Sequence, residues 1–377
     1  MQWQPTEQQT QLADALRRFI QRDYSFEKRR ALGVGPGFSP GAWSTLAEIG
    51  LTALLVPEAH GGLGASVQDA LHALQTLAPA LPLEPVVASA LLATHLLASC
   101  EQSTDAQSWL RRMTEGKAIA TPAVLEPGAG FATGQPLTSA RRTGDGWRLD
   151  GIKTLVLQAQ YADVLLVSAR VGDAGIAWFA VPTDSTGLTL RPYALLDGQR
   201  AGDVTFNGVP LAADASIDPA GQGNALSDGL QALWLAALCA EAVGLLQATL
   251  DATVAYLNTR QQFGQPIGRF QVLQHRAVAM WMDVEQARSM ALLAADICTQ
   301  SGNPQRGHLL AAAKARVGQA CRNVSQETIQ LHGGMGMTDE MQVSHWFKRL
   351  TTIDLWLGDS DAHLQQVARG VMEFDPA

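Results

Sequence analysis

The chain is poor in charge. Only 16% of its 377 residues are Asp, Glu, Lys or Arg, against about 25% in an average soluble chain. Sparse charge implies a large buried surface, in a core or against other subunits. Cations are the scarcer sign: 27 Lys and Arg against 35 Asp and Glu leave a net charge of −8. Nucleic-acid binding needs a basic face to neutralise phosphates, so that class is excluded. Small phosphate ligands are not, because one or two well-placed cations suffice for them. No apolar run approaches the ~18–20 residues of a membrane span; the richest, Ala232–Ala240, ends at Glu241. The first residues, Met1-Gln-Trp-Gln-Pro5, lack the basic-then-apolar pattern of a secretory signal. Cys100, Cys239, Cys298 and Cys321 form no Cys-x-x-Cys pair. They read as small buried hydrophobes in a reducing, cytoplasmic setting. No Glu-x-x-His pair occurs, which removes a di-iron bundle.

What is present falls into three segments, within the two to three domains that the length suggests. Residues 1–118 carry helical periodicity. Thr6 and Gln9 form a capping-box pattern ahead of Leu12, Leu16 and Phe19, and Ser39-Pro40 is a second start signal. Apolar stripes predict further helices over about 66–78 and 84–99. Residues 119–225 change period: Trp147–Leu149, Val164–Ser168 and Ile176–Val181 are strand-like. Asp145-Gly146, Asp150-Gly151 and Asn207-Gly208 read as turns. A small sandwich or barrel is expected here, followed by a linker over 214–224. Residues 226–377 return to helical spacing, with helices expected near 226–257, 270–300, 304–331, 339–355 and 360–371. The fold class is therefore α+β multidomain: a helical domain, a β-domain and a carboxyl-terminal four-helix bundle.

Two strings carry possible chemistry. In the first, Tyr256-Leu-Asn-Thr-Arg260-Gln-Gln262-Phe263-Gly264-Gln-Pro266-Ile-Gly-Arg-Phe270-Gln271, a Gly/Pro turn joins two long helices. A guanidinium beside a ring and amides suits a nucleotide, with Arg on phosphate and the ring on a base. An ordinary helix connection with a solvated Arg is the alternative. In the second, Gln330-Leu-His-Gly333-Gly334-Met-Gly336-Met-Thr338, three glycines permit positive φ and close backbone approach. Backbone N–H groups there could hold a pyrophosphate. A plain Gly-rich helix break would look the same.

Taken together, in this order and behind an α–β layout, the strings resemble the acyl-CoA dehydrogenase family over essentially the whole chain. Cys239–Gly244, Phe270–His275, Glu285–Met290 and Phe347–Thr351 are, within it, most similar to the small subunit of pimeloyl-CoA dehydrogenase. The resemblance implies FAD held between protomers, usually in a tetramer. Arg260, Gln262 and Phe263 would meet its pyrophosphate and adenine, supported by Phe270 and Gln271. Gln330, Gly333 and Gly334 would meet FAD from the partner side.

The implied reaction is α,β-dehydrogenation of an acyl-CoA thioester, with hydride passing to flavin N5 and electrons to an electron-transferring flavoprotein. A carboxylate must take the α-proton. The family's Glu-Gly-Thr string reads Leu357-Gly358-Asp359 here, so Leu357 stands at the base position. The alternative base position, on the long helix before Arg260, holds Trp234. Two carboxylates remain candidates. Glu241 shares a face with Trp234 but lies ~10 Å further along; it is a base or a buried ion-pair partner. Asp359, where the family has Thr, is a displaced base, a helix N-cap or a flavin-side hydrogen-bonding group. Family residues that contact the isoalloxazine are replaced too: Leu125-Glu126-Pro127 stands for Thr-Glu-Pro. Leu155-Val-Leu157, after Gly151-Ile-Lys153, stands for Trp-x-Thr. Lys348-Arg349 stands for an Arg-Asp pair. The expected function is an FAD-dependent acyl-CoA dehydrogenase, homo-oligomeric or paired with a paralogous subunit. The alternatives are a non-catalytic subunit completing the FAD site of a base-bearing paralogue, or base-independent chemistry on a CoA thioester.

Overall fold

Helix α1 (Glu7–Asp23) starts at its capping box: the Thr6 hydroxyl accepts from Gln9 N and the Gln9 side chain accepts from Thr6 N. Helix α2 (Phe26–Val34) follows, capped by Ser25, and α3 (Pro40–Glu48) is capped by Ser39 with Pro40 in its first turn. Helix α4 (Val67–Leu77) comes next. The stretch expected as one α-helix over 84–99 divides into a π-helical segment, Val86–Ala93, and α5 (Thr94–Ala98). Helix α6 (Thr104–Thr114), like α2, has no assignment in the sequence pattern. The computed structural model describes residues 5–131, 133–144, 146–172, 175–218 and 221–372. By internal packing the chain forms two units, Met1–Ala70 with Pro82–Trp234, and Leu71–Leu81 with Leu235–Ala377.

The first unit contains one curled seven-stranded sheet: β1 (Ala120–Ala123), β2 (Ser139–Thr143), β3 (Gly146–Leu157), β4 (Val164–Val171), β5 (Gly175–Pro182), β6 (Leu188–Ala194) and β7 (Arg200–Ala212). One edge of β4 pairs with β5 along its length; the other takes β1 at Val164–Val167 and β2 at Arg170, both parallel. Strands β2, β3, β7 and β6 continue antiparallel.

Two of the expected turns are not turns. Asp150-Gly151 and Asn207-Gly208 sit inside β3 and β7, on opposite sides of one β-bulge, where Asn207 and Gly208 together face Asp150. Gly208 takes φ +60, and its N–H donates to the Asp150 carboxylate at 2.7 Å. The dipeptides that favour hairpin loops also favour bulges, because both need positive φ. In the third pair, Asp145 lies outside the described residues. The expected linker is not one either: Ser216 bridges to Phe179, Ile217 N donates to Trp178 O, and Ile217 is fully buried.

Helix α7 (Gly223–Thr259) passes into the second unit, which continues with α8 (Gln271–Ile297), α9 (Arg306–His332), α10 (Gln342–Leu355) and α11 (Ser360–Met372). Among the described residues α7 alone is long and apolar enough to cross a membrane, yet 89% of its most apolar stretch is buried, as in a core helix. In this unit the helix meets α8 through Gln247 and Arg288, α9 through Thr253 and Thr328, and α10 through Glu241 and Arg349. Gly244 is obligatory: a Cβ there would lie 2.1 Å from Gln75 O on α4. The four cysteines are buried free thiols. Burial pushes the Cys100, Cys239 and Cys298 thiols up to about 12, so they are inert at neutral pH.

Candidate functional site

At the end of α7 the chain folds into a minimal hairpin, β8 (Gln261–Gln262) with β9 (Gln265–Pro266), closed by Ile267 N donating to Arg260 O at 2.9 Å. Phe263 and Gly264 make its turn with φ +52 and +76, positive at both positions as a type I′ turn requires. Glycine accepts this freely; for Phe263 it costs ~1–2 kcal/mol. That strained residue displays its ring, 91% exposed, with Phe270 edge-on at 6.1 Å. Gln271 opens α8, whose N-terminus has no side-chain cap, leaving N–H groups and a partial positive charge free for an anion. Arg260 and Gln262 are exposed beside it.

The glycine string ends α9 and runs into a short turn, Gly333–Met337. Gly333 takes φ +59 and ψ −144. A Cβ on Gly333 or Gly334 would meet no atom within 4 Å, so the space beside this backbone is open. Gln330 is exposed in the last helical turn. The two strings are adjacent: the Tyr256 ring stacks on His332 at 4.4 Å, and Tyr256 Oη donates to His332 O. The guanidinium, amides, exposed ring and open backbone fit the phosphates and adenine of a dinucleotide.

The turn at Leu357–Asp359 is built differently. Leu357 and Gly358 take φ +56 and +102, and the Leu357 side chain is buried. The fully buried Lys314 donates to Asp354 O at 2.8 Å and to Gly358 O at 3.0 Å. The Asp354 carboxylate accepts from Ser360 N and from Arg322, and His363 Nε2 lies 3.0 Å from Leu357 O. Burial first, and then the Lys314 cation, lowers the His363 pKa to about 4, so the ring is neutral at pH 7. Asp359 is the N-cap of α11, its Oδ1 accepting from Ala362 N at 2.8 Å. Glu241 is buried against Arg349, whose Nε and Nη2 donate to its two oxygens at 2.7 and 2.6 Å. These are the capping and ion-pair alternatives for the two carboxylates, and neither is held as a free base. Trp234, in the first unit, is buried.

In the sheet, Glu126 is clamped by the fully buried Lys153 at 2.7 Å and accepts from Thr138 N at 3.0 Å. Burial opposes both charges. It lowers the Lys153 pKa to about 8, while the Lys153 ammonium and the hydrogen bonds keep the Glu126 carboxyl below its ordinary range. Two residues on, Leu155 departs from the strand with φ +53. Sequence reasoning does not anticipate this bulge, the Lys314 anchor or the Glu241–Arg349 pair. The signal for the last was Glu241, a lone acid in an apolar helix, which is not stable buried unpaired. Among the described residues, no group of three or more His, Cys, Asp or Glu could hold a metal ion.

Three family models match along the chain: the acyl-CoA dehydrogenase N-terminal domain over residues 6–117, the middle domain over 122–209 and the C-terminal domain over 236–372. The chain belongs to the acyl-CoA dehydrogenase family. Among its relatives is the probable acyl-CoA dehydrogenase YngJ of Bacillus subtilis, 27% identical over 99% of this chain and 100% of that one. Two solved structures are similar throughout. The ChsE4–ChsE5 complex of Mycobacterium tuberculosis is 26% identical with a TM-score of 0.88, covering 100% of each chain. A variant of the Tcur3481–Tcur3483 steroid acyl-CoA dehydrogenase is 27% identical with a TM-score of 0.87, covering 97% of this chain and 98% of that one.

Proposed function

We propose that this chain is the FAD-binding, base-free subunit of an acyl-CoA dehydrogenase, completed by a paralogous chain that supplies the catalytic carboxylate. The observation that carries this reading is the base turn: Leu357 fills the position, Glu241 is committed to Arg349 and Asp359 to Ala362. FAD, when bound, supplies the hydride acceptor for the β-carbon of an acyl-CoA. Arg260, Gln262, Phe263, Phe270 and Gln271 hold its pyrophosphate and adenine end, with Gln330, Gly333 and Gly334 contributing on the partner side. The likeness to two dehydrogenases whose structures are named as two-protein complexes supports the heteromer, as does the resemblance of Cys239–Gly244 and Phe347–Thr351 to a small subunit. Val272, Val278, Trp281 and Met282 on α8 expose large apolar surface suited to subunit contacts. Electrons pass to an electron-transferring flavoprotein.

Co-expression with a paralogous chain tests the reading. The expected result is a mixed oligomer with flavin absorbance that desaturates acyl-CoA esters with an artificial acceptor, while this chain alone does not. A homo-oligomer with full activity overturns it in favour of an internal base such as Asp359. A different product, seen by mass spectrometry, points instead to base-independent chemistry.

A further inference from the structure

The outer face of the β2–β3 pair gathers cations, and strand register sets their arrangement. Arg141 stands directly opposite Arg148, one step along from Ala140 opposite Leu149. Ala140 and Leu149 are buried on the inner face. Alternation therefore turns both arginines outward, and both are exposed. Ser139, the preceding outward residue of β2, is flanked by Asp150 on β3 and by the exposed Arg170 on β4. Directly opposed residues bring their Cβ atoms within about 5.5 Å, and like charges so placed are destabilising. Among the described residues, none of these three guanidiniums forms an ion pair. Asp150, the acid on this face, accepts from Gly208 N at 2.7 Å. Arg142 is engaged differently: it pairs with Trp147 on the other face and lies over that ring at 4.6 Å. Arg148 is also held in place. A Cβ on Gly208 would lie 2.3 Å from its Nη2 and 2.5 Å from its Nε. The guanidinium thus lies across the bulge at Asn207-Gly208, in the room that a glycine leaves.

A like-charge contact that costs stability and has no partner within the chain breaks a local rule, as functional sites do. We propose that this face docks an acidic segment of another protein. Arg141 and Arg148 take its carboxylates in charge-assisted hydrogen bonds, and Arg170 extends the track. Charge and shape select this occupant. The face is positive on a chain of net charge −8. A long polyanion such as nucleic acid would meet the acidic remainder of the surface, whereas a short acidic segment meets the cations alone. Arginines side by side on neighbouring strands make an open sheet surface, and small ligands favour concave sites. A second copy presenting the same face would set arginine against arginine. The face lies wholly in the first unit, apart in sequence from both glycine-bearing strings, and its role does not depend on how the chain binds a cofactor.

A fluorescein-labelled oligoglutamate peptide, titrated into the protein at low salt and read by anisotropy, tests this. Arg141→Gln/Arg148→Gln is expected to weaken binding by about 10–100-fold, the worth of charged hydrogen bonds. Arg17→Gln/Arg18→Gln removes the same charge from exposed positions on α1 and is expected to leave binding unchanged. Because the opposed pair is a like-charge contact, the first variant is also expected to keep or raise Tm. No peptide binding by the wild type overturns the proposal. Equal weakening by both variants overturns it as well, since attraction would then follow net charge alone. A lowered Tm with unchanged binding does the same and makes the pair a structural feature. Inorganic phosphate or phosphatidylserine vesicles bound in place of the peptide, and lost in Arg141→Gln/Arg148→Gln, would assign the face to another ligand and overturn it too.

Discussion

Two kinds of turn in the helical unit stand in contrast. The hairpin at 260–271 and the glycine turn at 333–337 are exposed: a bare aromatic ring, a guanidinium, an uncapped helix start and backbone with open space beside it. The turn at 354–363 is closed, with Leu357 buried and its backbone held by Lys314 and His363. Groups left exposed are available to a ligand. Groups that satisfy one another hold the fold. On the proposed reading, a chain can keep a cofactor-binding end while lacking a base, because the two are built from separate pieces of one scaffold.

Breaking the closed side should have the largest effect. Arg349→Ala leaves the Glu241 carboxylate buried and alone, and is expected to cost about 3–5 kcal/mol in urea unfolding. The double variant Glu241→Leu/Arg349→Met should recover most of that. The acid limb of stability comes next. As pH falls through 6.5 the unfolded chain protonates His363, but the folded chain resists until about 4. His363 therefore contributes stability above pH 6.5 that is lost between pH 6.5 and 4, at most about 3 kcal/mol at 1.36 kcal/mol per unit. His363→Gln should flatten that slope in urea midpoints measured against pH.

The open side should respond in binding instead. Arg260→Ala is expected to weaken FAD binding by roughly 10–100-fold, the worth of a charged hydrogen bond of about 1.5–3 kcal/mol, in a fluorescence titration, with Tm unchanged. Equal loss of Tm and affinity would remove the contrast. Phe263→Ala should cost about 1 kcal/mol of binding, at the low end for base stacking, and should gain stability by relieving positive φ only if Gly is placed there. Leu357→Glu sharpens the comparison directly. The turn already exists, so a carboxylate placed on it should yield dehydrogenase turnover in this chain without a partner, at a stability cost of about 2 kcal/mol for the buried acid.

The helices other than α2 and α6 were legible where they depend on neighbours in sequence. Thr6 with Gln9, Ser39 with Pro40 and the apolar spacing of α8 to α11 act within a few residues. The turns in the two strings were legible for the same reason, being short runs whose glycines serve one turn each. The sheet was less so. Asn207-Gly208 carries a turn signal, but pairing with β3 converted it into a bulge. The π-helical segment at Val86–Ala93 and the docked segment around Ile217 depend on what packs against them, which no local pattern records.

By itself the sequence determined the order of helical and β segments, the turns in the two glycine-bearing strings and the absence of a carboxylate at Leu357, since each is a matter of residue identity and short-range spacing. Only the tertiary structure decided what became of the remaining acids. Glu241 meets Arg349, 108 residues away, and the Asp354 carboxylate meets Arg322 and Ser360 N. Asp203 gathers donors from two neighbouring strands at one strained leucine. A charge must find a partner when it is buried, but which partner depends on which surfaces the helices and strands bring together.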